Sequence, residues 1–247
     1  MQKLFKEAVN DLRRQPGVVA LYLLSSLAIL AVYRILAHLL GGGDTPVLPA
    51  PAASLLRLAL TLYLAVTASA VQAVFLAALG AGIARPLWKY KGWHDALRRF
   101  FIPWLILNLL LVTITDICAR LMQAEQTDVA ATLELLLLAV HMATIPVGGA
   151  VMFWGGLEWR ELPTALAPLG RFFQWTLLPL AVALLQYMLI ELRSILLEGG
   201  GAVTLAGYSA TDLPLVLIDL LIFALVWHIC LHNQMNPGDN DEDPLDF

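Results

Sequence analysis

Six apolar stretches dominate this chain: residues 17–40, 54–84, 100–122, 130–154, 172–197 and 213–232. A bilayer core is about 30 Å thick and is crossed by roughly 20 apolar residues in a helix. Lipid offers no partner to a bare peptide N–H or C=O, so each stretch must be helical. The fold class that follows is all-α: a polytopic membrane protein with six transmembrane helices, residues 1–232 forming one transmembrane domain. The second stretch is longer than a crossing requires and is expected to tilt or to emerge from the bilayer. Charged residues make up 14% of the chain, against about a quarter in a soluble domain. Residues 1–16 are charged and amphipathic, and no small-residue cleavage site follows the first apolar run, so no cleaved signal peptide is expected.

The connectors alternate in character. Residues 41–54, 123–128 and 198–212 contain no Lys or Arg, whereas residues 1–16, 85–99 and 155–171 hold 11 of the 15 basic residues. Basic connectors stay on the side of synthesis, which predicts that both termini are cytoplasmic. The acidic segment 233–247 reads as a disordered tail. The chain has no basic patch for nucleic acid. Cys118 and Cys230 lie in different apolar runs and read as small packing residues rather than as a disulfide framework.

Three of the basic segments resemble one another: "FKEAVNDLRRQPG", "WHDALRRFFIP" and "LPTALAPLGRFFQW". Each opens on a large apolar residue (Phe5, Trp93, Leu162), carries an alanine three places on (Ala8, Ala96, Ala165), and then an arginine near the following span (Arg14, Arg99, Arg171). Apolar groups at i, i+3 and i+4 make one helical stripe, and such a helix with basic neighbours lies in the headgroup layer. The chain thus reads as three units, 1–84, 85–154 and 155–232, each an interfacial helix followed by a helical hairpin. Arg14, Arg98, Arg99 and Arg171 are the candidate contacts to lipid headgroups. The competing explanation is that any such boundary attracts Arg and aromatics. Trp88, Tyr90, Trp93, Trp104, Trp154, Trp159 and Trp175 fit an aromatic belt on the same face.

On the segments "DALRRF" (95–100) and "TALAPLGRF" (164–172), the chain resembles the membrane domain attached to some glycerophosphodiester phosphodiesterases, and the YciC-type six-span proteins. The resemblance implies a membrane-embedded helper or transport-like module of the bacterial inner membrane. It carries over no catalytic residue.

Ionisable residues inside spans are candidate functional groups. The topology places Arg34, Arg57, Asp116, Arg120, Glu134, Glu191, Arg193 and Asp219 in the outer part of the spans, four basic and four acidic. They either line an outward-facing polar cavity or snorkel to headgroups and form structural ion pairs. The structural explanation is preferred for Arg34, Arg57, Glu134 and Arg193. Asp116, Arg120, Glu191 and Asp219 are the candidate binding cluster, because a short carboxylate cannot snorkel far and a charge at mid-bilayer costs about 2.5–3.5 kcal/mol on insertion scales. Asp116 and Arg120 are spaced i, i+4 and can pair.

His228 and His232 share a helix face, but core or interfacial histidines explain them better than a metal site, and the depths of His141 and His228 do not match for a haem. No metal or other cofactor is expected. Ser69, Ala73, Ala77 and Ala81 form a small-residue stripe that predicts a central packing helix with Gln72 able to bond across it. Pro146 with Gly148 and Gly149 is expected to break the fourth span. The chain lacks nucleotide-binding, hydrolase and zinc-protease motifs. The expectation is therefore a membrane module without catalysis of its own, handling or sensing a lipid or small amphiphile, with lipids and another membrane protein as partners. The alternatives are a transporter or channel whose outer charges form a vestibule, and an intramembrane lipid enzyme using Asp116 or Asp219.

Overall fold

The computed structural model describes residues 1–41, 50–83, 88–123, 127–156, 161–198 and 205–235. All regular structure among them is helical: α1 Gln2–Arg14, α2 Pro16–Gly41, α3 Ala50–Val71, a π turn Gln72–Leu76, α4 Ala77–Ile83, α5 Trp93–Gln123, α6 Thr127–Trp154, α7 Leu162–Arg171, α8 Phe173–Glu198 and α9 Leu205–Met235. Six helical stretches are long and apolar enough to cross a membrane; α3, the π turn and α4 together make the second. The helix α9 runs on to Met235, and the rest of the acidic tail lies outside the described residues.

Helix boundaries follow local chemistry. Proline disfavours the α region in the residue before it, and Gln15, ahead of Pro16, leaves it at φ −120°, ψ 51°, separating α1 from α2. Phe172 makes the corresponding break between α7 and α8. The middle segment differs: α5 runs from Trp93 straight through Pro103 into the third span, so there the amphipathic segment is an extension of the span rather than a separate helix. The expected break at Pro146 is also absent, and α6 is one helix. Its glycines serve close approach instead. A β-carbon on Gly148 would overlap the Trp104 ring, and one on Gly149 would lie 3.2 Å from Val226. The helix stops at Gly155 and Gly156, whose φ values of 114° and 141° suit glycine.

The outside of the bundle is apolar. Leu24, Leu55 and Leu135 are 65–69% exposed, which is what lipid-facing positions require when no water is present to penalise them. The sixth span is the most enclosed, packing against α1, α2, α6 and α8. Two of the expected belt residues are core residues: Trp88 and Trp104 are buried, and the Trp88 indole donates to the Met152 carbonyl at 2.6 Å. For Trp88 that bond satisfies the one indole N–H inside the core. Trp93 stays exposed, and Trp159 lies outside the described residues. Ala8, Ala96 and Ala165, the aligned alanines of the three basic segments, are all buried.

Candidate functional site

The bundle divides along its length. Towards the basic end it is tightly filled: Phe100, Trp104, Met152, Phe223 and Trp227 are almost wholly buried, Trp227 packs edge-on against Phe153, and its ring lies where a β-carbon on Gly80 would sit. One or two turns further along every span, towards the opposite end, the interior opens into a cavity of 360 Å³. All six spans contribute to its wall. Aliphatic side chains make most of it, among them Leu30, Leu64, Leu111, Ile190, Leu215 and Val216.

Three polar groupings face this space. The first crosses between spans one, five and six. The carboxylate of Asp212, only 2% exposed, takes both Arg34 guanidinium nitrogens, Nη2 at 2.8 Å, and Arg193 Nη1 at 2.5 Å. A buried carboxylate must be paired to be tolerated, and bidentate arginine supplies direction as well as charge. The second grouping joins spans two and three: the Asn108 side-chain amide donates to Ser69 Oγ at 2.9 Å and to Gln72 Oε1 at 2.6 Å. Gln72 opens the π turn, and π turns are frequent at functional sites because they re-aim side chains. The small-residue stripe explains how the helices come close enough, since Ser69, Ala73 and Ala77 are all fully buried. The third grouping joins spans four, five and six. Gln186 Nε2 donates to the Leu215 carbonyl at 2.8 Å and to Asp219 Oδ1 at 2.6 Å, while its Oε1 lies 3.2 Å from His141 Nε2. An amide oxygen only accepts, so His141 carries its proton on Nε2.

Of the four residues singled out from sequence, Asp219 lines the cavity. Asp116 is half-buried one turn beyond Val112 on α5 and does not line it. Glu191 is exposed on α8, whereas Arg193, two residues on, points inward. The Arg120 side chain lies outside the described residues, as does that of Arg57. Arg34 and Arg193 do form the ion pairs considered for them, to Asp212, the last residue of the 198–212 connector. Asn108 and Gln186 gave no sequence signal beyond being single amides in apolar runs.

The basic end has its own polar contacts. Arg14, Arg98, Arg99 and Arg171 are all exposed there; Arg99 pairs with Asp95 at 3.4 Å and Arg171 donates to Asn233 at 3.3 Å. His228 Nε2 lies 2.9 Å from Asp11 Oδ2, tying α1 to α9, and His232 packs on the Trp175 ring. Among the described residues, no three His, Cys, Asp or Glu side chains gather in a way that could hold a metal ion. Cys118 and Cys230 are buried free thiols.

No protein-family model, curated protein or solved structure matches the chain.

Proposed function

We propose that this protein is a multi-pass module of the bacterial inner membrane that holds a small amphiphile in its six-helix cavity, the acidic group of the ligand resting against Arg34 and Arg193. The basic end is cytoplasmic in this reading, by the bias of Lys and Arg, and the cavity lies in the periplasmic half. One observation carries the proposal: an almost fully buried Asp212 aims two guanidiniums from different spans into a space walled by leucines. Apolar walls with a few convergent polar groups are what ligand cavities are made of, and 360 Å³ suits a small molecule rather than a whole phospholipid. The aromatic packing between the cavity and the basic end favours holding over conducting, because a transport path has to continue past Trp104 and Trp227.

The test is binding by the full chain in lipid nanodiscs. A medium-chain carboxylate should bind to the wild type, Arg193→Lys should retain binding, and Arg193→Gln should weaken it about tenfold. Equal binding to wild type and Arg193→Gln overturns the reading.

A further inference from the structure

Resting on that reading, we propose that the ligand is charged at both ends: an extended chain with its acidic group at Arg34 and Arg193 and a cationic amine at Asp219. Asp212 and Asp219 are seven residues apart on α9, two turns along the same face. At about 1.5 Å per residue that sets them about 10 Å apart along the axis. Both line the same cavity, so its two ends carry opposite chemistry.

The outer end is cationic. Arg193 uses one nitrogen on Asp212 and, among the described residues, makes no other hydrogen bond or ion pair, so most of its five N–H donors are available to a ligand. The inner end accepts. The Asp219 carboxyl receives one hydrogen bond from Gln186, through Oδ1, which leaves acceptor sites on both oxygens. The Gln186 amide also reaches the Leu215 carbonyl, and its oxygen meets His141, so the side chain that positions Asp219 is itself fixed at both ends. Between the two ends the wall offers Leu30, Leu64, Leu111 and Ile190, which complement methylenes and give no hydrogen bonds to a peptide-like middle.

The spacing sets the length of the ligand. An extended chain advances about 3.5 Å per three bonds, so a 10 Å separation corresponds to about eight bonds between the charged groups. An ω-amino medium-chain carboxylate has that form. A fatty acid leaves the inner carboxyl unanswered, and an alkylamine leaves the arginines unanswered.

The full chain in nanodiscs is titrated with ω-aminooctanoate, octanoate and octylamine, with empty nanodiscs as the blank for partitioning. ω-Aminooctanoate should bind about tenfold more tightly than either singly charged chain, and ω-aminobutyrate should bind as weakly as they do. Asp219→Asn should bring ω-aminooctanoate down to the level of octanoate. Octanoate binding as tightly as ω-aminooctanoate to wild type overturns the two-ended ligand while leaving the acidic-group reading intact, and this comparison needs no variant to fold. If none of the chains binds, the cavity reading itself falls with it.

Discussion

Asp212 is the residue on which the cavity half of the bundle turns. It receives guanidiniums from α2 and α8 while sitting on α9. Replacing it with Ala takes a buried counter-charge away from two guanidiniums, a change that costs about 3–5 kcal/mol when one partner of a buried pair is removed. Thermal unfolding in detergent should therefore show a large loss for Asp212→Ala, and a smaller one when Arg34 and Arg193 are replaced by Leu in the same chain. The same scale gives a second prediction at Gly80. A methyl there meets the Trp227 ring, and overpacking costs about 1–3 kcal/mol. Trp227→Phe should shrink the penalty of Gly80→Ala in a double-mutant cycle, and it strands no acceptor, because the indole N–H has no hydrogen-bond partner among the described residues. Additive penalties would show that the two residues are not coupled. What sequence made legible at this scale depended on position in a span. Asp219 stood out because a carboxyl inside an apolar run demands a reason. Asp212 did not, because it lies where an uncharged connector meets the span. Glu191 and Arg193 are about 200° apart around α8 at 3.6 residues per turn, so only one could face inward, and the pattern of the run did not say which.

At the scale of elements, α1 is a strut rather than a loose surface helix. Leu4 and Ala8 pack against Ala224, Leu225 and Ile229 of α9, Asp11 meets His228, and the Gln15 amide donates to the Leu79 carbonyl at 3.2 Å. Its other side still carries Lys3, Lys6, Arg13 and Arg14 outward. The stripe of apolar residues was readable; that it is satisfied by α9 was not, since an amphipathic helix shows the same stripe to lipid and to protein. Ala8→Leu should loosen α1, measured as faster trypsin cleavage after Arg13 or Arg14. The outward basic side gives a further expectation. Changing Arg14, Arg98, Arg99 and Arg171 together to Gln should lower the ratio of anionic to zwitterionic lipid retained by the purified protein, and salt should do the same to the wild type. A ratio indifferent to both would remove the headgroup role from these arginines.

The whole molecule is asymmetric along the membrane normal, and its six-span class was plain from hydropathy because the bilayer admits so few solutions. The asymmetry was not plain, because it arises from the rotation of helices about their axes: the positions of α5 at Asn108 and Val112 face a space, whereas Trp104, one turn away, fills one. An open half opposite the basic end, next to a filled half towards it, makes a prediction that separates a holding module from a conduit. In a chain with Cys118 and Cys230 replaced by Ala, which removes two thiols that are already buried, single cysteines are placed at Val112 and at Phe223. A small water-soluble thiol reagent should modify the cysteine at Val112 and leave that at Phe223 untouched, and an amphiphile that occupies the cavity should slow the first reaction. Modification at both positions with similar rates would mean that water passes the Trp104 and Trp227 rings, and the transporter alternative would then take precedence. The rings are seated on Gly80 and Gly148, where even a methyl group does not fit, so opening that half requires α4 or α6 to move away bodily rather than a side chain to swing.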